Sequence, residues 1–141
     1  MKSILIINGP NLNLLGKREP LLYGSESFED FLNGLKQDFP DLQIQYLQTN
    51  EESDMVNAIQ GAQGDGAEGI ILNPAALSHT SIAVADAVAA VSIPVVEVHI
   101  SNIFGRETYR HHSFVSRYAK GVVVGFGLDG YRLALHHLLR S

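Results

Sequence analysis

Five short runs rich in β-branched residues alternate along this chain with longer segments of helical period, and few folds accept that alternation. The runs are Ile4 to Ile7, Gln43 to Leu47, Gly69 to Leu72, Val95 to Val98 and Gly121 to Val124. Most are almost continuously apolar, as expected of strands covered on both faces of a parallel sheet. Gln43 to Leu47 alternates polar with apolar residues and belongs nearer an edge. Between the runs, Ser27 is placed to cap a helix whose Phe28, Phe31, Leu32 and Leu35 recur at helical spacing and which ends before Pro40. A second helix begins near Asn50, buries Met55, Val56, Ile59 and Ala62, and stops between Gly64 and Gly66. A third runs from about Ser78 to Val91, ahead of Pro94, and a last one starts at Asp129 with Tyr131, Leu135, Leu138 and Leu139 on one stripe.

Such βα alternation requires right-handed crossovers, so the expected fold is α/β. It is a flavodoxin-like, doubly wound sheet of five parallel strands with helices on both faces. The 141 residues, 45% of them apolar, suffice for one core, and no linker, repeat or low-complexity tract divides the chain, so residues 1–141 read as a single catalytic domain. A formal net charge of −5 speaks against non-specific binding of nucleic acid. With no cysteine, disulfides, thiolate metal sites and cysteine nucleophiles are excluded. The opening apolar run stops at Asn8, too short for a signal-peptide core or a membrane span, so the expected setting is the cytoplasm.

In doubly wound sheets ligands bind beyond the carboxyl ends of the strands. The first strand is followed there by a long connection, Asn8 to Gly24, holding three glycines, two prolines, Lys17, Arg18 and Tyr23. A loop of that length is either a binding loop or lid, at about residues 10–25, or a structured surface loop with Tyr23 packed against it. Its glycines form neither a dinucleotide fingerprint nor a P-loop, so a phosphate cradle has little support. Asn73 closes the third strand. His79 and Asp86, seven residues apart, fall on one face if the third helix already includes both, although a lone histidine at a helix start more often serves local backbone. On the fourth strand, period-two alternation puts Glu97, His99 and Ser101 on one face at the carboxyl end. A glutamate beside a histidine can fix its tautomer and raise its basicity, and this trio is the strongest chemical signal in the residues. Arg106 and Arg110 stand four apart; on one short helix they would point the same way and suit a carboxylate-bearing ligand, and otherwise they form a solvated basic turn. His111-His112 and His136-His137 are adjacent pairs with no acidic partner at ligand spacing, and read as surface or packing residues.

These segments resemble one family closely, the type II 3-dehydroquinases. Asn-Gly-Pro-Asn-Leu-Asn-Leu-Leu-Gly, then Arg-Glu-Pro and Tyr-Gly, stands at positions 8 to 24; Ile-Leu-Asn and His-Thr-Ser stand at 71 to 73 and 79 to 81; Glu-Val-His-Ile-Ser-Asn occupies 97 to 102. Arg-Glu before an aromatic and then Arg-His-His-Ser lie within 106 to 113, and Gly-Tyr-x-Leu-Ala-Leu within 130 to 135. The chain departs from the family pattern at Pro74-Ala75-Ala76-Leu77, at Phe104-Gly105 and at Arg117-Tyr118, positions that touch the pocket lining and a surface turn.

The resemblance implies a lyase that dehydrates 3-dehydroquinate to 3-dehydroshikimate through an enolate, in the shikimate pathway, without metal or cofactor. It implies Tyr23 as the base, favoured as phenolate by Arg18, and Asn11 holding the water that binds the enolate oxygen. His99 would protonate the departing hydroxyl and Glu97 would orient it. Substrate contacts fall on Asn73, His79, Asp86, Arg110 and the Ile100-Ser101 segment. The implied assembly is a dodecamer of trimers, with Asp86 reaching a neighbouring site. A flavodoxin-like nucleotide or flavin carrier without catalysis is the alternative the fold alone would allow.

Overall fold

The computed structural model describes residues 2–17, 21 and 25–140. Five strands, β1 (Lys2–Asn8), β2 (Leu42–Gln48), β3 (Gly69–Asn73), β4 (Val95–His99) and β5 (Gly121–Val124), form one sheet in the order β2-β1-β3-β4-β5. Every neighbouring pair is parallel. Among the described residues four α-helices alternate with them: α1 (Phe28–Asp38), α2 (Glu52–Ala62), α3 (Ile82–Ala90) and α4 (Asp129–Leu139). This is the expected doubly wound α/β sheet, with β2 at an edge as its alternating pattern implies.

Both faces of the sheet are covered, and the period of two assigns the residues. Ile4, Ile6, Ile71, Val96 and Val98 pack on one side with Phe28, Phe31 and Leu35 of α1 and Tyr131, Leu135 and Leu138 of α4. Ile7, Ile70, Leu72 and Val95 pack on the other with Met55 and Ile59 of α2 and Val84 and Val88 of α3. The caps are side-chain oxygens that satisfy first-turn amides: Ser27 Oγ accepts from Asp30 N at 3.2 Å and Ser81 Oγ from Val84 N at 2.9 Å. Among the described residues no helix is long and apolar enough to cross a membrane.

Two differences from the sequence reading have physical causes. The third helix does not run from Ser78: Ala75–His79 forms a separate 3-10 turn, Ser81 is extended, and α3 starts afresh at Ile82 on the Ser81 cap. Finally, β5 is the other edge of the sheet, and Val122 within its wholly apolar Gly-Val-Val-Val run is 43% exposed.

The order reverses direction between β1 and β3, and there the two following loops touch. Gly9 N donates to Asn73 O at 2.8 Å, and a Cβ on Gly9 would lie 2.6 Å from Pro74 O. Glycine is required because the backbones abut. That contact forms the floor of a cleft at the switch point.

Candidate active site

An open cleft lies over the carboxyl ends of β1, β3 and β4, the end of a doubly wound sheet where ligands bind. Pro10, Asn11, Leu12, Leu14 and Leu15 line it from the β1 loop; Asn73, Ala75, Ala76, Ser78 and His79 line it after β3; His99, Ile100, Ser101, Ile103, Arg106 and Arg110 complete it.

The floor is a buried polar chain. Tyr131 Oη, from α4, donates to Asn8 Oδ1 at 2.7 Å and accepts from Asn73 Nδ2 at 2.9 Å, while Asn8 Nδ2 donates to Tyr46 Oη at 3.3 Å. Complete burial is the main force pushing the Tyr131 phenol far above its ordinary pKa, so it stays a neutral donor. Asn73 Oδ1 accepts from Ala75 N at 3.1 Å. Much of its amide is thereby committed to holding β1, β3 and α4 together, and Ala75 is fixed with a left-handed φ of 52°.

On the β4 wall, His99 Nε2 lies 2.5 Å from Glu97 Oε2. Both side chains are buried, Glu97 fully and His99 to 5% exposure. Nε2 is committed to the carboxylate, which leaves Nδ1 as the ring nitrogen available to a ligand. Ser113 Oγ donates to Glu97 Oε2 at 2.8 Å and Ser116 Oγ to Oε1 at 2.6 Å. Burial pushes the Glu97 carboxyl up, but the His99 contact, the His99 charge and the two serine hydroxyls together pull it below its ordinary value. The residue is a buried carboxylate built to remain charged.

The opposite rim is cationic. Arg106 Nη1 donates to Ser101 Oγ at 3.3 Å, and Arg110 Nε donates to Glu107 Oε2 at 3.1 Å. The Tyr109 hydroxyl and Arg110 hold the exposed Glu107 carboxyl down to about 2. His79 Nδ1 stands 3.2 Å from Ser78 Oγ, and its ring meets Tyr109 edge-on at 5.8 Å. Burial first, and then Arg110, His99 and Arg106, lower the His79 pKa, so the ring is neutral at pH 7.

The cleft thus brings together Asn11, Asn73, His79, His99, Ile100, Ser101 and Arg110 of the residues expected from sequence, with Glu97 directly behind His99. Asn11 adopts a left-handed φ of 70°, and its N–H donates to Asn50 Oδ1 at 3.0 Å. Arg18 and Tyr23 lie outside the described residues, as does much of the proposed lid.

Two geometric expectations need correction. His79 ends the 3-10 turn that precedes α3, so it shares no helix face with Asp86, which is exposed on α3 and does not line the cleft. Arg106 and Arg110 share no helix either: Arg106 is extended between the 3-10 turns Ile103–Gly105 and Thr108–Arg110, yet both arginines reach the cleft.

Sequence reasoning missed Asn8, Tyr131, Ser113 and Ser116. The signal for the first was present, a polar residue ending an apolar strand; Tyr131 and Ser113 stood only within the quoted motifs, and Ser116 gave none. Among the described residues no three His, Asp or Glu side chains cluster as a metal site would require. His111 Nε2 lies 3.1 Å from Arg106 O, His112 packs on Phe114, and His136 packs on Phe39.

Comparison with known proteins gives a consistent answer. The family model described as dehydroquinase class II matches residues 2–139. The 3-dehydroquinate dehydratase of Aeromonas salmonicida is 50% identical, the alignment covering 98% of this chain and 95% of the relative. That of Legionella pneumophila is 49% identical, covering 100% and 99%. The crystal structure of type II dehydroquinase from Butyrivibrio crossotus superposes with a TM-score of 0.94 at 42% identity, covering 98% of this chain and 97% of that one.

Proposed function

Since the chain belongs to the class II dehydroquinase family, we propose that it is a hydro-lyase that removes water from 3-dehydroquinate, giving 3-dehydroshikimate in the shikimate pathway of aromatic amino-acid biosynthesis. The observation that carries this reading is the buried Glu97 and His99 pair opening on an arginine-rimmed cleft. It supplies a proton donor on one wall and anion recognition on the other.

The chemistry sets three tasks. A proton alpha to a ketone is weakly acidic, so its removal needs a base and stabilisation of the enolate. Tyr23 is the base. A phenol of ordinary pKa near 10 is almost wholly protonated at pH 7, so it needs a cation beside it, and Arg18 on the same loop is that cation. Asn11 binds the water that hydrogen-bonds the enolate oxygen. His99 then delivers a proton to the departing hydroxyl, with Glu97 keeping the ring oriented and stabilising its charged form. The substrate carboxylate is held by the backbone of Ile100 and Ser101 and by Arg110, and its hydroxyls by Asn73 and His79. The loop at about residues 10–25 closes over the ligand, expelling water and strengthening the Arg18 to Tyr23 interaction.

The exposed position of Asp86 on α3 suits a role outside its own cleft. In this reading Asp86 completes the site of a neighbouring subunit, in trimers grouped as a dodecamer. A cytoplasmic setting fits a biosynthetic enzyme of this kind. A flavin or nucleotide carrier is disfavoured, because the β1 loop has no phosphate-binding glycine pattern.

The test is direct. Purified protein given 3-dehydroquinate should generate the ultraviolet absorbance of the conjugated enone product, equally well with and without EDTA. No absorbance rise refutes the activity, and a loss with EDTA refutes the metal-free mechanism. Sedimentation of the same preparation reads the assembly.

A further inference from the structure

Glu97 is the one fully buried carboxylate among the described residues. Such a charge persists only if its lone pairs are filled, because desolvation otherwise drives it to take up a proton. Three side chains fill them: His99 and Ser113 on Oε2, and Ser116 on Oε1. Neither serine lines the cleft, so neither meets substrate.

The segment that carries the serines is itself pinned. Phe114 N donates to Ser78 O at 2.7 Å, Lys120 N to Val95 O at 2.7 Å, and Ser116 N to Ser113 Oγ at 3.3 Å, while Val115 between them is completely buried. The two hydroxyls are therefore presented from a fixed platform.

We propose that Ser113 and Ser116 are positioning residues for the acid step: their hydroxyls keep the Glu97 carboxylate ionised and stationary, so that it accepts from His99 and never competes with the leaving group for the proton. This rests on the assignment of His99 as the acid. If Glu97 were protonated, His99 would lose the anion that aligns its ring and supports its charge. The rest of the surroundings cannot replace the serines. The strands flanking Glu97 pair it with Leu72 and Val122, both apolar. Among the described residues, His99 is the leading charged group acting on it; farther out, His99 faces His79, which in turn lies beside Arg106, Arg110 and Glu107.

The experiment measures kcat and KM across pH for Ser116→Ala, the Ser113→Ala/Ser116→Ala double variant, Ser116→Thr and His99→Ala. A hydrogen bond to a charged group corresponds to about one to two pKa units, so the acidic limb of kcat should move up by about one pH unit in Ser116→Ala and further in the double variant. KM should stay within about twofold, since no substrate contact is lost. Ser116→Thr keeps the hydroxyl and should keep the wild-type limb. A carboxyl-carbon NMR titration of Glu97 in the unliganded single variant should show the same displacement independently of turnover. An unmoved limb and an unmoved Glu97 titration, with His99→Ala inactive, would overturn the role of the serines. A fully active His99→Ala would instead overturn the assignment on which it rests.

Discussion

Removing one oxygen from the floor of the cleft should be expensive. In Tyr131→Phe the ring still fills its place among Phe28, Phe31 and Leu135, so no cavity opens. What disappears is the hydroxyl that donates to Asn8 Oδ1 and accepts from Asn73 Nδ2. Asn8 is 0% exposed and Asn73 3%, so water cannot replace it freely. Each buried polar group left without a partner costs about 1–3 kcal/mol, and two are left. The phenylalanine recovers part of this, because it no longer desolvates a hydroxyl, so the net loss should be about 2–4 kcal/mol. For a domain of this size that corresponds to a fall in Tm of roughly 10 °C. The assay is urea denaturation of both proteins at one fixed concentration, since assembly makes apparent stability concentration-dependent. The midpoint should drop while the slope m is unchanged. A loss below about 1 kcal/mol would refute the argument, and would mean that the chain from Asn8 through Tyr131 to Asn73 adds no net stability.

Three further outcomes are expected. Tyr23→Phe should lower kcat at least about 10³-fold while leaving KM and the melting temperature nearly unchanged, as removal of a general base does; retained turnover would remove Tyr23 from that role. Gly9→Ala drives a methyl into the Pro74 carbonyl, so it should lower the melting temperature and raise KM together as the β1 and β3 loops are forced apart; an unchanged KM would mean the loops do not set the cleft. Glu97 has a folded pKa below its ordinary value of 4.5, so the stability it contributes is fully present above that range and is lost as pH falls through the lower folded value; stability should therefore fall less steeply with acid in Glu97→Gln, which cannot take up that proton, than in wild type, and identical slopes would count against an ionised Glu97.

How much of this was legible depended on how far apart the partners stand. The strands were readable because burial on both faces leaves unbroken apolar runs, and β2 announced its edge by alternating. β5 could not, since edge position follows from sheet order and an apolar Gly-Val-Val-Val run carries no trace of it. Glu97 and His99 were legible because two residues on one strand share a face by geometry alone. Ser113 and Ser116 were not, because they reach Glu97 across 16 and 19 positions and serine is an ordinary surface residue. Tyr131 is 123 positions from Asn8, and its hydroxyl gains a meaning only once α4 is laid against the sheet. The misplaced helix faces have a common origin as well. Periodicity assumed continuous helices where the extended residues Ser81 and Arg106 interrupt them.

The charges of the cleft are divided by permanence, which bears on how it handles an anion. Its positive charge rests on arginines, which do not lose their protons at any working pH. Arg110 is held by Glu107, itself ionised down to about pH 2 by its contacts to Tyr109 and Arg110, so the guanidinium is aimed before a ligand arrives. Burial first, and then Arg110, His99 and Arg106, lower the His79 pKa, whereas His99 has the Glu97 carboxylate of its own beside it. Two histidines in one cleft thus differ in their electrostatic neighbours: one lies beside arginines, the other is backed by a buried anion. In a chain of net charge −5, concentrating cations at this rim also gives an anionic ligand a local field to follow into the cleft.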